Sequence, residues 1–228
     1  MGEEYETAIF DVDGTLVDTN YHHAIAWYRA FRRHDLTVPV WRLHRAIGMG
    51  GDQLVAEVAG PEVEQRCGDA LRAAWTEEFD PLLGEVQPFD GVRDLLAEVR
   101  RRGFTVVLAS SGKPEHVDRY LSLFDGTEFA EAWTTSADVE RTKPHPDLLR
   151  AAMDKVEGRS AVLVGDSVWD FAAAGRLGIP GYAVRSGGFS VDELRDAGAR
   201  EVFDSPALLH ERLAETVLAT ARRAGSAR

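Results

Sequence analysis

The sequence predicts an α/β protein: a Rossmann-like parallel sheet core carrying an inserted α-helical domain. Three observations point there. Short apolar runs of strand length recur along the chain and alternate with segments of helical period. Such alternation implies a parallel sheet covered by helices on both faces. From about Thr19 to Gln87 the alternation lapses, and only helical patterns remain. The chain has 228 residues, which at about 150 residues per domain suits one large domain with a smaller partner. The expected division is a core of residues 1–18 plus 88–228 and a helical domain of residues 19–87.

Taken in order, the first strand is Ala8–Phe10. The insertion follows as four helices: Tyr21–Arg33, with Ala24, Tyr28 and Phe31 on one face; Trp41–Ile47; Asp52–Ala59; and Glu62–Phe79, with Val63, Cys67, Leu71, Ala74 and Trp75 as its apolar positions. Gly91–Arg102 is a helix with Val92, Leu95, Leu96 and Val99 on one face. Gly103 ends it, behind a basic last turn suited to the negative pole of the helix. Strands are expected at Phe104–Ala109, Ala130–Thr134, Ala161–Val164, Gly181–Val184 and Glu201–Phe203. Asp170–Leu177 is an alanine-rich helix stopped by Gly178 and Pro180. Ser190 and Glu193 form a capping box for a short helix ending near Gly198. Ala207–Ala224 reads as a last helix, and Ala224–Arg228 as a frayed end.

Composition narrows the function. The chain carries 26 basic and 38 acidic residues, a net charge of −12, which argues against non-specific nucleic-acid binding. No apolar stretch reaches the roughly 18–20 residues that span a bilayer, and the acidic amino terminus lacks the layout of a secretory signal. A lone cysteine, Cys67, makes no internal disulfide, which suits a cytoplasmic protein. Only Lys113, Lys143 and Lys155 are lysines; every other basic residue is arginine.

Four segments carry chemistry. In IFDVDGTLVDT, Asp11 and Asp13 directly follow the first strand, where parallel sheets place their sites. One acid can serve as an ionised nucleophile or metal ligand while the other cycles as acid and base. A calcium loop is excluded, because Leu16 and His22 stand where its glycine and glutamate belong. In VVLASSGK, Ser110 and Ser111 follow a strand, where hydroxyls and turn amides can hold phosphate oxygens, although the composition also suits an ordinary turn. In RTKPHPD, Lys143 precedes Pro144 and is a compact charge on a flexible stem; a solvated loop lysine is the alternative. In AVLVGDSVWD, Asp166 ends a strand, and Asp170 lies in the first turn of the next helix, where its charge also suits the helix dipole.

The order and spacing of these segments resemble the haloacid dehalogenase superfamily: DxDGT, then a serine or threonine, then a lysine, then GDxxxD. The resemblance covers nearly the whole chain, and the insertion resembles the helical cap that such proteins carry between their first two motifs. It implies that Asp11 is the nucleophile of an aspartyl-phosphate mechanism and that Asp13 is the general acid and base. Ser110 and Lys143 would hold the phosphoryl group. Mg²⁺ would be bound by Asp11, Asp13 through its backbone carbonyl, and Asp166, with Asp170 behind them or acting through water. The implied partner is a small phosphorylated metabolite, with neither nucleic acid nor membrane, and the implied state is a monomer or homodimer.

The resemblance also separates branches. Dehalogenases lack the second acid, which here is Asp13. Phosphonatases use a cap lysine, and residues 19–87 contain none. β-Phosphoglucomutases share a histidine and an aromatic residue like His23 and Trp27. Their basic cap loop, however, reads Ile47-Gly48-Met49-Gly50-Gly51 here, with only Arg45 nearby as a substitute. The expectation is therefore a Mg²⁺-dependent phosphatase for a small phosphate monoester, with a sugar phosphomutase as the alternative. Arg45, Gly48, Ser111 and His23 are candidate substrate contacts. His22, His145 and Trp169 read as surface, loop and packing residues. A phospho-accepting receiver module and a silent scaffold fit less well: a receiver is about half this length, and a scaffold has no need of the intact acids and lysine.

Overall fold

The computed structural model describes residues 5–158 and 160–221. Six parallel strands form one sheet: β1 Thr7–Phe10, β2 Thr105–Ala109, β3 Ala132–Thr134, β4 Ala161–Gly165, β5 Gly181–Val184 and β6 Val202–Phe203, in the order β3-β2-β1-β4-β5-β6. Strand side chains alternate between two cores, as the period of two requires. Ala8, Phe10, Val106, Leu108, Val162 and Val164 enter the larger core, whereas Ile9, Val107, Ala109, Ala161 and Leu163 enter the smaller one on the opposite face. Both faces are therefore dry, and every residue of β1 and β4 is buried.

Four helices stand between β1 and the helix that leads to β2: α1 Asn20–Arg33, α2 Val40–Ala46, α3 Gly51–Ala59 and α4 Pro61–Phe79. They bury Trp27, Phe31, Leu43, Leu54, Leu71 and Phe79 among themselves and against the core. Pro61 at its first position suits the start of α4. The helix is kinked rather than regular, because Cys67 adopts φ −150° and ψ 19°. The chain returns through α5 Val92–Arg101, whose Val92, Leu95, Leu96 and Val99 are buried as its pattern predicts.

The remaining helices are α6 Pro114–Leu123, α7 Gly126–Phe129, α8 Asp147–Lys155, α9 Val168–Gly175, α10 Val191–Asp196 and α11 Pro206–Glu211. Neither α6 nor α8 is among the helices expected above. Each starts just beyond a segment read as a loop motif, although Val117, Tyr120 and Leu121 in α6 and Leu148, Leu149 and Ala152 in α8 do form buried faces. Helix α9 begins two residues earlier than expected, since Ser167 and Asp170 form its capping box. The capping box of Ser190 and Glu193 opens α10 as predicted. The long final helix is corrected: α11 stops at Glu211, and short 3₁₀ turns follow at Leu213–Glu215 and Val217–Ala219. Arg212 leaves helical geometry (φ −101°, ψ 15°) and Thr216 separates the two turns with extended backbone (ψ 171°); both Leu213 and Leu218 are buried in the core. The expected frayed end lies outside the described residues. Among the described residues, no helix is long and apolar enough to cross a membrane.

Candidate active site

The strand register brings the sequence motifs to one rim. Phe10 is level with Leu108 of β2 and Val164 of β4. Asp11, Ser110 and Asp166 therefore emerge side by side beyond the carboxyl ends of the three central strands. Sheet order reverses between β1 and β4, and that crevice is where open parallel sheets place ligands. Gly14, at φ +78°, turns the chain back, and a Cβ there would stand 2.5 Å from both Asn20 Nδ2 and Asp166 Oδ2.

Asp11, Lys143, Asp166 and Asp170 are each no more than 2% exposed. Lys143 Nζ donates to Asp11 Oδ1 and lies 2.7 Å from Asp170 Oδ1. The other Asp170 oxygen accepts from the Ser167 amide (3.1 Å) and hydroxyl (2.6 Å). Thr15 Oγ1 sits between Asp11 Oδ2 (3.2 Å) and Asp166 Oδ1 (3.0 Å). Oxygens of Asp11, Asp166 and Asp170 all lie within 4.8 Å of one another. Three carboxylates against one ammonium leave a buried excess of negative charge. Burial pushes Asp11 up to about 7, with Asp170 and Asp13 adding to the effect and Lys143 opposing it. Asp166 is driven well above the usual carboxylate range by burial and by Asp11 and Asp170. Burial works to lower Lys143, but Asp11 and Asp170 outweigh it and keep the ammonium charged.

Asp13 has different neighbours. Its Oδ1 accepts from Thr19 Oγ1 and contacts His23 Nε2, both at 3.0 Å, and its Oδ2 accepts from Ser110 Oγ at 2.8 Å. Burial raises its affinity for a proton, yet His23, Ser110 and Thr19 more than compensate and hold it below its ordinary value. Two carboxyls two residues apart thus acquire opposite tendencies: Asp11 is driven toward the neutral acid and Asp13 toward the carboxylate. The His23 ring is stacked on Phe79 (4.0 Å) and Trp75 (5.5 Å), so the histidine is a buried partner of Asp13.

A cavity of about 260 Å³ opens between this rim and the helical insertion. Asp11, Asp13, His23, Gly48 and Ser111 reach it, with Trp27 and Trp75 supplying apolar walls. The Gly48–Gly51 loop is held at the rim. Ser111 Oγ donates to Gly48 O at 3.2 Å, the Gly50 amide to Thr142 Oγ1 at 2.9 Å, and the Thr142 amide to Asp52 Oδ2 at 3.0 Å. A Cβ at Gly48 would stand 2.5 Å from Ser167 Oγ, so this approach needs glycine.

Arg45 is placed elsewhere than expected. It pairs with Glu193, lies 4.0 Å over the Phe189 ring and donates to Gly188 O at 3.3 Å. Helix α2 presents it to Phe189 in the loop before α10 and to Glu193 in the first turn of α10, which hold it away from the cavity. Trp169 Nε1 donates to Arg45 O at 3.0 Å, a packing contact as expected. His22 lies 3.9 Å from Glu85 and His145 3.4 Å from Arg176, both away from the carboxylates. Sequence reading missed Asn20, Asp52, Arg72, Lys113 and Thr142. Arg72 lines the cavity while held by Glu64, Asp69 and Gly51 O. Lys113 lines it while donating to Thr76 Oγ1 at 2.7 Å. The scarcity of lysine was a usable signal for Lys113 as much as for Lys143.

Comparison with known proteins agrees with this geometry. Residues 8–184 match the family described as haloacid dehalogenase-like hydrolase. A phosphoglycolate phosphatase of Xylella fastidiosa is 31% identical over 179 residues, covering 76% of this chain and 77% of the relative. A validoxylamine A 7'-phosphate phosphatase of Streptomyces hygroscopicus is 27% identical over 181 residues, covering 77% and 83%. The crystal structure of a hydrolase from Pseudomonas syringae superposes with a TM-score of 0.86 at 28% identity, covering 92% of this chain and 98% of that one.

Proposed function

We propose a mechanism from one premise: the chain belongs to the haloacid dehalogenase-like hydrolase family and is a phosphatase. Its substrate is a small phosphate monoester, bound in the cavity beneath α1–α4. Residues 19–87 act as a cap on a core of residues 1–18 and 88–228. The observation that carries the reading is the convergence of Asp11, Asp166, Asp170 and Lys143 on the rim that floors this cavity.

The Asp11 carboxylate attacks phosphorus, and the bond to the ester oxygen breaks as Asp13 delivers a proton to that oxygen. Water then attacks the aspartyl-phosphate. Its proton passes to Asp13, the bond between phosphorus and Asp11 breaks, and inorganic phosphate leaves. Hydrogen bonds from Ser110, Thr19 and His23 favour ionised Asp13, the state that the second half requires. Lys143, kept charged by Asp11 and Asp170, offsets charge on the phosphoryl oxygens; Ser111, which lines the cavity, offers a hydroxyl to them, whereas the Ser110 hydroxyl is committed to Asp13.

The donor set also fits a metal. It is all oxygen, buried, and carries three carboxylates against one lysine, the chemistry that a hard divalent cation such as Mg²⁺ prefers. At about 4 Å and an effective dielectric of about 20, each like-charged pair costs on the order of 4 kcal/mol. Asp11, Asp166 and the Asp13 backbone carbonyl would hold the ion, with Asp170 behind them. When bound it supplies charge neutralisation and Lewis acidity toward a phosphoryl oxygen.

Hydrolysis is favoured over phosphoryl transfer between sugar positions, because Arg45 faces Glu193 and the cations that line the cavity are already engaged, Arg72 by Glu64 and Asp69 and Lys113 by Thr76. The test is a panel of phosphate esters with and without Mg²⁺, including phosphoglycolate, hexose phosphates, nucleotides and pyrophosphate. Release of phosphate from a small monoester only with Mg²⁺ supports the reading; interconversion of hexose phosphates without release overturns it in favour of a mutase.

A further inference from the structure

We infer that Asn20 is a positioning residue for Asp166, and that through it the entry helix of the cap sets the affinity of the acidic cluster for its divalent cation. The inference rests on the metal reading above and concerns a residue outside the sequence motifs. Asn20 opens α1 and is 2% exposed. Its Nδ2 donates to Asp166 Oδ2 at 2.8 Å and to Gly187 O at 3.1 Å. The amide sits in a slot cut by two glycines. A Cβ at Gly14 would stand 2.5 Å from Asn20 Nδ2, and one at Gly187 would stand 2.7 Å from the same atom and run into the Asp166 carboxylate. A side chain wedged in this way has one conformation, and its donor is aimed at one carboxylate oxygen.

The chemistry of the donor matters. Asp166 receives Thr15 on one oxygen and Asn20 on the other, both neutral donors. Neutral donors orient a carboxylate and leave its negative charge available, whereas a lysine or arginine at position 20 would cancel the charge that a cation needs. Partners that orient metal-binding side chains are worth about 10–100-fold in metal affinity. The other end of the amide supports the same role. Among the described residues, buried Asn20 Oδ1 has no hydrogen-bond partner, a position that calls for a donor. A hydrated divalent cation brings water hydrogens of that kind. Helix capping is not the explanation, since no side chain caps the start of α1.

Placement makes the contact a link between cap and site. Thr19, the preceding residue, holds Asp13 while Asn20 holds Asp166. The segment that leads into the cap therefore grips both carboxylates, and displacing α1 must disturb both. By reciprocity, a cation that orders Asp166 also favours the seated position of α1.

The test is calorimetric titration of the full-length protein with MgCl₂, comparing wild type, Asn20→Ala and Asp166→Asn. The expected result is measurable binding to wild type, at least tenfold weaker binding to Asn20→Ala, and none to Asp166→Asn; turnover by Asn20→Ala should recover to within about threefold of wild type at saturating Mg²⁺. Binding to Asn20→Ala within twofold of wild type overturns the inference while leaving the metal reading intact. Absence of binding to wild type overturns both. Should Asn20→Ala fail to fold, Asn20→Asp keeps the shape and sets a second carboxylate against Asp166. Its melting temperature in EDTA should fall below that of wild type, and MgCl₂ should raise it by more than it raises wild type. An equal or smaller rise overturns the inference.

Discussion

Thr142 donates both its amide and its hydroxyl to the carboxylate of Asp52, ninety positions away in the chain. Thr142 directly precedes Lys143, and Asp52 lies in the first turn of α3. One carboxylate of the helical insertion thus fixes the residue next to the lysine that pairs with Asp11. Hydrogen bonds to a charged group contribute about 1.5–3 kcal/mol, so Asp52→Ala should lower kcat/KM roughly tenfold or more. Thr142→Val should do the same, and the double variant should be little worse than either single one. Full additivity in this cycle would show that the two residues act separately.

Asp13→Asn keeps the shape of the side chain and removes the proton carrier. Steady-state turnover should fall by about 10²–10⁴-fold. Because attack by Asp11 does not require Asp13 as a base, a substrate with a good leaving group should still phosphorylate the variant. Rapid quench with p-nitrophenyl phosphate should show one equivalent of p-nitrophenol released in a burst, followed by slow hydrolysis. A variant that turns over at the wild-type rate would remove Asp13 from the mechanism.

Stability of the protein in EDTA should fall as pH rises toward neutrality. Burial lifts folded Asp11 from an ordinary 3.8 to about 7, and Asp166 is lifted as well. Between these values the folded state binds more protons than the unfolded chain, so deprotonation disfavours folding. Asp13, held low, contributes in the opposite sense and in a more acidic window. The melting temperature in EDTA should therefore drop between pH 5 and pH 7.5 more steeply for wild type than for Asp11→Asn, and MgCl₂ should reduce the drop. Equal slopes in the two proteins would contradict the charge assignment.

Gly187→Ala places a methyl group against the Asp166 carboxylate. The fold should survive, because the clash is confined to two side chains at the sheet rim, Asp166 and Asn20. The kcat/KM should fall at least tenfold, since misplacing a positioned group by about 1 Å can cost about 10²-fold. Circular dichroism together with turnover measures both parts; unchanged turnover would mean that Asp166 tolerates displacement.

The core and the floor of the site were legible for one reason. Asp11, Ser110 and Asp166 each follow an apolar run, and in a parallel sheet every such run ends on the same rim. Lys143 was legible as a lysine in an arginine-rich chain. The roof was not. Asp52 meets Thr142, and Asn20 meets Asp166 and Gly187, only after the insertion packs onto the core, and local sequence carries no trace of such distant pairs. Arg45 shows the converse failure: its position beside a glycine-rich loop suggested a substrate contact, yet Glu193 and Phe189 hold it outside. The last helix failed because Arg212 and then Thr216 leave helical geometry in a segment whose composition alone suits a helix.

The central claim is that phosphorus is carried transiently by Asp11. The direct measurement is acid quench of Asp13→Asn during turnover of a phosphate ester with MgCl₂, reduction of the acyl phosphate with borohydride, and peptide mapping by mass spectrometry. The modification is expected on Asp11, and it should be absent from Asp11→Asn. Modification of another residue, or turnover by Asp11→Asn at the wild-type rate, would contradict the mechanism.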